Sequence, residues 1–190
     1  MRKIQIMIML ICIVGVISGC TNYSKQYNEN TLIINKNGSL VEISVENFKD
    51  SSVDAESITS YVEEQVEAYN NSSEDDIKIK SIEAEDLEHV KLVLAYKNID
   101  SYDTFNLLEY SLKDIGEVKE SDLTGSYTSA DDKKTSPSDI IAEEKCKVLT
   151  ISEVTDVAVK GDILYYNGEV TIKDGIATTS GKKDAIIVFR

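Results

Sequence analysis

Apolar positions along this chain switch between two periods, and the switches mark its elements. Leu32-Ile33-Ile34-Asn35-Lys36 and Ser39-Leu40-Val41-Glu42-Ile43-Ser44-Val45 flank Asn37-Gly38, the strongest short-range signal for a β-hairpin. The pair predicts a type I′ turn with positive φ at both residues. Val41, Ile43 and Val45 alternate with polar residues, which predicts one covered face and one wet face. The period then lengthens. Ile58, Tyr61, Val62, Val66 and Tyr69 fall on one helical face, with Glu56, Glu63, Glu64 and Glu67 mainly opposite. This predicts an amphipathic helix of about four turns packed on a sheet by its Ile/Val/Tyr stripe. Ser51 to Asp54 supply N-cap candidates, Asn70 to Ser73 end the pattern, and early acidic residues suit the N-terminal dipole.

Alternation returns at Ile77-Lys78-Ile79-Lys80 and from Val90 to Tyr96, joined through the polar Glu85 to His89 stretch as a second hairpin. Asp100 or Ser101 offers the cap of a short helix through Tyr102 and Phe105, and Leu108, Tyr110 and Leu112 alternate as a further strand. Gly116 to Ser138 is the longest polar region and holds the single proline, Pro137; it predicts a long surface loop. Beyond Lys147 the pattern is β throughout. Val148–Ile151, Val157–Val159, Ile163–Tyr166, Val170–Ile172 and Ala185–Phe189 are separated by Gly161, Asn167-Gly168, Asp174-Gly175 and Gly181. No fixed repeat of solenoid length is present. The expected class is α+β: an N-terminal hairpin, helix and antiparallel-sheet unit over residues 31–115, a polar loop or linker over 116–146, and a β-rich C-terminal meander or small sandwich over 147–190.

The amino terminus follows different rules. Arg2 and Lys3 precede Ile4 to Ile17, apolar apart from Gln5, and then come the small residues Ser18 and Gly19. That is the layout of a secretory signal. As a helix, Ile4 to Ile17 would cover roughly 21 Å, short of the ~30 Å hydrocarbon core, and no basic stop-transfer cluster follows. Ile17-Ser18-Gly19-Cys20 resembles the lipobox of bacterial lipoproteins. The resemblance implies that residues 1–19 are a signal peptide recognised through Ile17, Ser18 and Gly19. It also implies that the Cys20 thiol receives a diacylglyceryl group and that Cys20 becomes the first mature residue. Two acyl chains give stable attachment where one is marginal, so the expected location is the extracytoplasmic face of the cell membrane. Residues 20–30 then read as the lipidated cysteine and a polar tether. More loosely, Tyr102-Asp103-Thr104-Phe105-Asn106, Gly161 to Tyr166 and Ala185 to Phe189 look like features of small lipoproteins from Gram-positive, clostridium-like bacteria, a group that brings no activity with it.

Charge narrows the partners. Removing residues 1–19 takes away Arg2 and Lys3 and no acid, leaving 18 basic and 34 acidic residues, a formal net charge of −16. Nucleic acid is an unsuitable partner for such a chain, because phosphate contacts need clustered Lys and Arg. The net charge also predicts repulsion from anionic head groups, so that the lipid alone holds the protein at the membrane. Cys12 leaves with the signal and Cys20 is lipidated, so Cys146 has no partner for an intramolecular disulfide and reads as a small buried hydrophobe.

Candidate chemistry is sparse. His89 is the single histidine and lies among Glu85, Asp86 and Glu88, a surface setting. One histidine and one remaining cysteine do not make a transition-metal site, and no G-x-S-x-G, P-loop or dinucleotide glycine pattern is present. Glu74-Asp75-Asp76 and Asp131-Asp132 are calcium candidates by ligand type, yet no D-x-D-x-D-G loop exists, and solvated acidic loops account for both. The expectation is therefore a non-enzymatic, membrane-tethered binding or interaction module with an envelope or protein partner, no metal, no catalytic residue and no cofactor beyond the lipid on Cys20. The alternative is a carboxylate-based hydrolase of envelope material using acids of the 116–138 loop. A cleft holding two carboxylates about 5–10 Å apart, one of raised pKa, would favour the hydrolase.

Overall fold

The computed structural model describes residues 23–190; Ile17, Ser18, Gly19 and Cys20 lie outside them. The described chain runs α1 (Tyr23–Gln26), β1 (Thr31–Ile34), β2 (Leu40–Glu46), α2 (Ala55–Ser72), β3 (Lys78–Glu83), β4 (Val90–Tyr96), α3 (Ile99–Asn106) and β5 (Ser111–Asp114). Two single 3-10 turns follow, Ile115–Glu117 and Glu120–Asp122, then β6 (Tyr127–Ser129), β7 (Lys134–Thr135) and α4 (Pro137–Ile141). The remainder is β8 (Lys147–Ile151), β9 (Asp156–Val159), β10 (Ile163–Asn167), β11 (Val170–Lys173), β12 (Ile176–Thr179) and β13 (Ala185–Phe189). The protein is α+β and mostly β.

Its strands form two sheets. One has the order β11-β12-β9-β1-β2-β4-β3, antiparallel except where β1 meets β9; the other is an antiparallel β5-β8-β13-β10-β6-β7. Strands from residues 31–115 and 147–190 therefore share both sheets. The Asn167-Gly168 turn joins β10 of the second sheet to β11 of the first, so it is a corner between layers. Asn167 secures that corner: its buried side chain donates to the Asp184 carbonyl at 2.7 Å and accepts the Ile186 amide at 3.1 Å.

Between the sheets lies the main core. Leu32, Ile34, Leu40, Leu94, Tyr96 and Val157 of the first sheet meet Leu149, Ile151, Ile187 and Phe189 of the second, and α2 and α3 close the same layer with Val66, Ile99 and Tyr102. Both sheets are covered on their outer faces too. Ile33, Val41, Ile43, Val93 and Ala158 on the outer face of the first sheet lie under Tyr23 and Tyr27. Lys91 Nζ fixes that cover by donating to the carbonyls of Ser24 at 2.6 Å and Tyr27 at 2.9 Å. The segment read as a tether is docked from Tyr23 onward.

Four local expectations are corrected. The first hairpin turn has a positive φ only at Gly38 (85°); the Gly38 amide bonds to Asn35 O at 2.9 Å, a type I turn closed by a left-handed glycine. The cap of α3 is Asn98, whose side chain accepts the Ser101 amide at 2.8 Å, which frees Asp100 and Ser101 for the first turn. The strands named beyond Lys147 omit 176–179, where Ile176, Ala177 and two threonines form β12 between β11 and β9. Residues 116–146 are not a plain loop. Val118, Leu123, Tyr127 and Ile140 plug the outer face of the second sheet against Val148, Ile186 and Val188, because β8 and β13 are apolar in both phases and need cover on both faces.

Candidate functional site

β2 points Leu40, Glu42, Ser44 and Glu46 toward the inner face, opposite Tyr96, Leu94, Leu92 and Val90 of β4. The expected wet face of this strand turns inward, with Leu40 buried, Glu42 and Ser44 half-buried and Glu46 exposed. α2 rests Val62, Val66 and Tyr69 on the core, while Val53, Ile58 and Tyr61 around its start face the sheet across a gap. Phe48 lies at the same gap, held by its amide to Leu87 O at 2.7 Å. The result is an apolar cleft of about 440 Å³ whose other wall is Ile82, Val90 and Leu92. That volume lies within the range of small-molecule sites.

A second chamber of about 210 Å³ adjoins it, and Ser44 and Glu46 line both. Here the walls change character to Glu42, Tyr102, Tyr110 and the backbone-rich Asn30–Leu32 and Val154-Thr155 segments. Glu42 Oε2 accepts the Tyr96 hydroxyl at 2.5 Å and Oε1 accepts Ser44 Oγ at 3.2 Å. Burial raises the Glu42 carboxyl above its usual range, against the lowering pull of those hydrogen bonds. Burial and the Glu42 charge in turn hold the Tyr96 and Tyr102 phenols well above theirs. Tyr102 stacks edge-on to Tyr96 with centroids 5.0 Å apart and lies 5.7 Å from Tyr110. Behind it Asp103 is pushed up to about 6, by burial first and then by the Asp100 and Glu109 charges. Its Oδ2 accepts the Tyr110 amide at 2.9 Å, whereas Oδ1 is buried without a hydrogen-bond partner. No described Lys, Arg or His lines either chamber.

The cleft therefore offers an apolar slot that ends in acidic and hydroxyl groups. Chemically it can bury a nonpolar body and accept hydrogen bonds from, or face a positive charge on, the attached head. Of these residues, Ile58, Tyr61, Val62 and Tyr102 are legible in sequence as core stripe positions, but Glu42 is not legible as a site residue. Its one signal is indirect: the alternation of the partner strand from Val90 to Tyr96 is broken by Val93 and Ala95, so that Lys91 is its one polar residue, the mark of a strand largely covered on both sides.

The residues singled out by type fall elsewhere. His89 is exposed and bonds Asp86 at 3.1 Å. Asp75 is engaged by Lys97 and by Asn98 Nδ2 at 2.7 Å, while Asp131 and Asp132 sit exposed at the β6–β7 turn. Among the described residues no group of three or more His, Cys, Asp or Glu side chains is placed to hold a metal ion. Cys146 is buried, its thiol pushed up by burial and donating to Glu144 O at 3.3 Å. In the 116–138 region, Glu117 and Asp122 close 3-10 turns by accepting backbone amides of Asp114 and Lys119. Comparison with protein-family models, curated proteins and solved structures finds no match to the chain.

Proposed function

We propose that the protein is a lipid-anchored binding module on the extracytoplasmic face of the cell membrane, and that the two-chamber cleft is its ligand site. The apolar slot of about 440 Å³ running into the Glu42–Tyr102–Tyr110 chamber carries this reading. The ligand it fits has a nonpolar body and a head that donates hydrogen bonds or carries positive charge, since acceptors and carboxylates line the polar end. The anchor rests on Ile17-Ser18-Gly19-Cys20 behind a basic start and a short apolar run. No described helix is long and apolar enough to cross a membrane.

Two measurements test the proposal. The neutral amine dye N-phenyl-1-naphthylamine should gain fluorescence on binding, and Ile58→Trp, which fills the slot, should abolish the gain without lowering the unfolding free energy measured in urea by more than about 1–2 kcal/mol. Unchanged dye binding in Ile58→Trp would remove the cleft as the site. For the anchor, Cys20→Ala should move the protein from the membrane fraction to the soluble one and alter its N-terminal mass; a variant that stays membrane-bound with the same mass ends the lipoprotein reading. The second reading, a hydrolase of envelope material, is favoured by the raised Glu42 carboxyl lining the smaller chamber. It predicts turnover of cell-wall fragments by the native protein and none by Glu42→Gln.

A further inference from the structure

The charge of this chain is unevenly placed. Lys36, Lys145, Lys147 and Arg190 line one depression of about 400 Å³ together with Asp162 and Phe189, at the end of the sandwich where β1, β9 and β13 finish and β8 begins. Lys160, directly after β9, adds a fifth cation beside them: its amide bonds to Ile34 O at 2.8 Å, and the next residue, Gly161, packs close to Lys36 and the Arg190 carbonyl. Two acids temper the group, Asp162 within it and Asp114, which pairs with Lys147 at 2.7 Å.

The first described residue, Tyr23, reaches toward this end with its ring, while the next carbonyl, Ser24 O, is held by Lys91 beside Val45. Lys160 Nζ lies 5.7 Å from the centre of the Tyr23 ring. Residues 23–30 lie along the outer face, and Asn30 Oδ1 accepts the Val45 amide at 2.6 Å at the opposite end, from which β1 returns. Cys20 stands three residues before Tyr23, a chain length of at most about 11 Å. With Tyr23 to Asn30 docked, the attachment point cannot stand the domain off on a long free tether. Glu46, Phe48 and Val90, the outermost walls of the apolar slot, belong to the far end of β2 and β4.

We propose that the Lys36–Lys145–Lys147–Lys160–Arg190 end is a docking surface for anionic phospholipid head groups, and that it seats the protein with the cleft directed away from the bilayer. This rests on the lipoprotein reading for its biological setting. The overall negative charge does not oppose it. Screening confines each charge to a range of roughly 8–10 Å, so a bilayer senses the end that approaches it rather than the sum over the molecule. Clustered cations next to a membrane attachment point are the arrangement that anionic leaflets attract.

The test separates the surface from the anchor by using the chain from residue 20 onward with Cys20→Ser, which carries no lipid and keeps every described element. It should cosediment with vesicles of 30% phosphatidylglycerol in phosphatidylcholine at low salt and be released at high salt. Lys36→Glu/Lys145→Glu/Arg190→Glu should weaken that binding about tenfold or more. The same number of reversals at the other end, Lys49→Glu/Lys182→Glu/Lys183→Glu, should leave it unchanged, with circular dichroism establishing that both variants fold. Equal binding to pure phosphatidylcholine, no binding to the anionic vesicles, or equal loss in both variants would overturn the proposal. If anionic vesicles bind as expected while the native N-terminal mass shows no lipid on Cys20, the surface stands and the anchor reading falls.

Discussion

At the scale of single residues, the chain places ionisable groups where neighbours decide their state. Asp103 is the clearest. Its carboxyl titrates at about 6 in the folded protein, against an ordinary value of 3.8, because burial disfavours the charged form and Oδ1 has no partner. Between those two values the folded state holds a proton that the unfolded chain has released, so stability falls as pH rises through that window and the penalty is constant above it. Asp103→Asn removes this term. The variant should therefore gain roughly 1–2 kcal/mol on the native protein between pH 4 and pH 7.5, read as the change in the difference of their unfolding free energies from urea titration. A difference that stays constant with pH would refute the burial account of Asp103. Sequence shows that residues 102–106 are a Tyr/Phe-bearing helix, but not that Asp103 faces inward, because that depends on which neighbours close over it.

At the scale of elements, the docked segment at 23–30 invites a direct check. Lys91 Nζ donates to Ser24 O, Tyr27 O and Asn28 Oδ1, and charge-assisted hydrogen bonds of this kind are worth about 1.5–3 kcal/mol. Lys91→Met keeps the aliphatic stem and removes all three donors. Hydrogen exchange at Tyr27, whose amide bonds to Tyr23 O, should speed up by about tenfold or more. Exchange in the β8–β13 ladder should hardly change, since that pairing lies on the other sheet. Equal protection at Tyr27 in both proteins would mean that Tyr23 and Tyr27 hold the segment by apolar contact alone. The helical stripe of α2 and the two N-terminal hairpins are legible from period and turn residues. The segment at 23–30 and residues 116–146 are not: their apolar residues are isolated among polar ones, and a solitary Tyr23, Leu123 or Ile140 has no period to detect.

At the scale of the molecule, the sheets are woven from the whole chain. β9 pairs with β1 along its full length, and Leu149, Ile151, Ile187 and Phe189 cover the inner face that Leu32, Ile34 and Leu40 present. Residues 23–115 expressed alone would expose that face and the β1 edge. They should give no cooperative thermal transition, whereas 23–190 should melt as a unit; an independent sharp transition in 23–115 would show that the first part is a domain by itself. The same weave gives the molecule its polarity, with a cation cluster at one end and the apolar slot at the other.

What the sequence determined by itself is what neighbouring residues encode: strands from alternation, α2 from its 3.6-residue period, and the α+β class. Each depends on interactions within a few residues along the chain. Tertiary structure decided the pairing of β1 with β9, the covering of both faces of β2, and the meeting of Glu42 with Tyr96 and Tyr102. It also gathered Lys36, Lys145 and Arg190 at one end. These contacts join positions 50 to 150 residues apart, and burial against distant strands, rather than local propensity, selects among the arrangements that the same pattern allows.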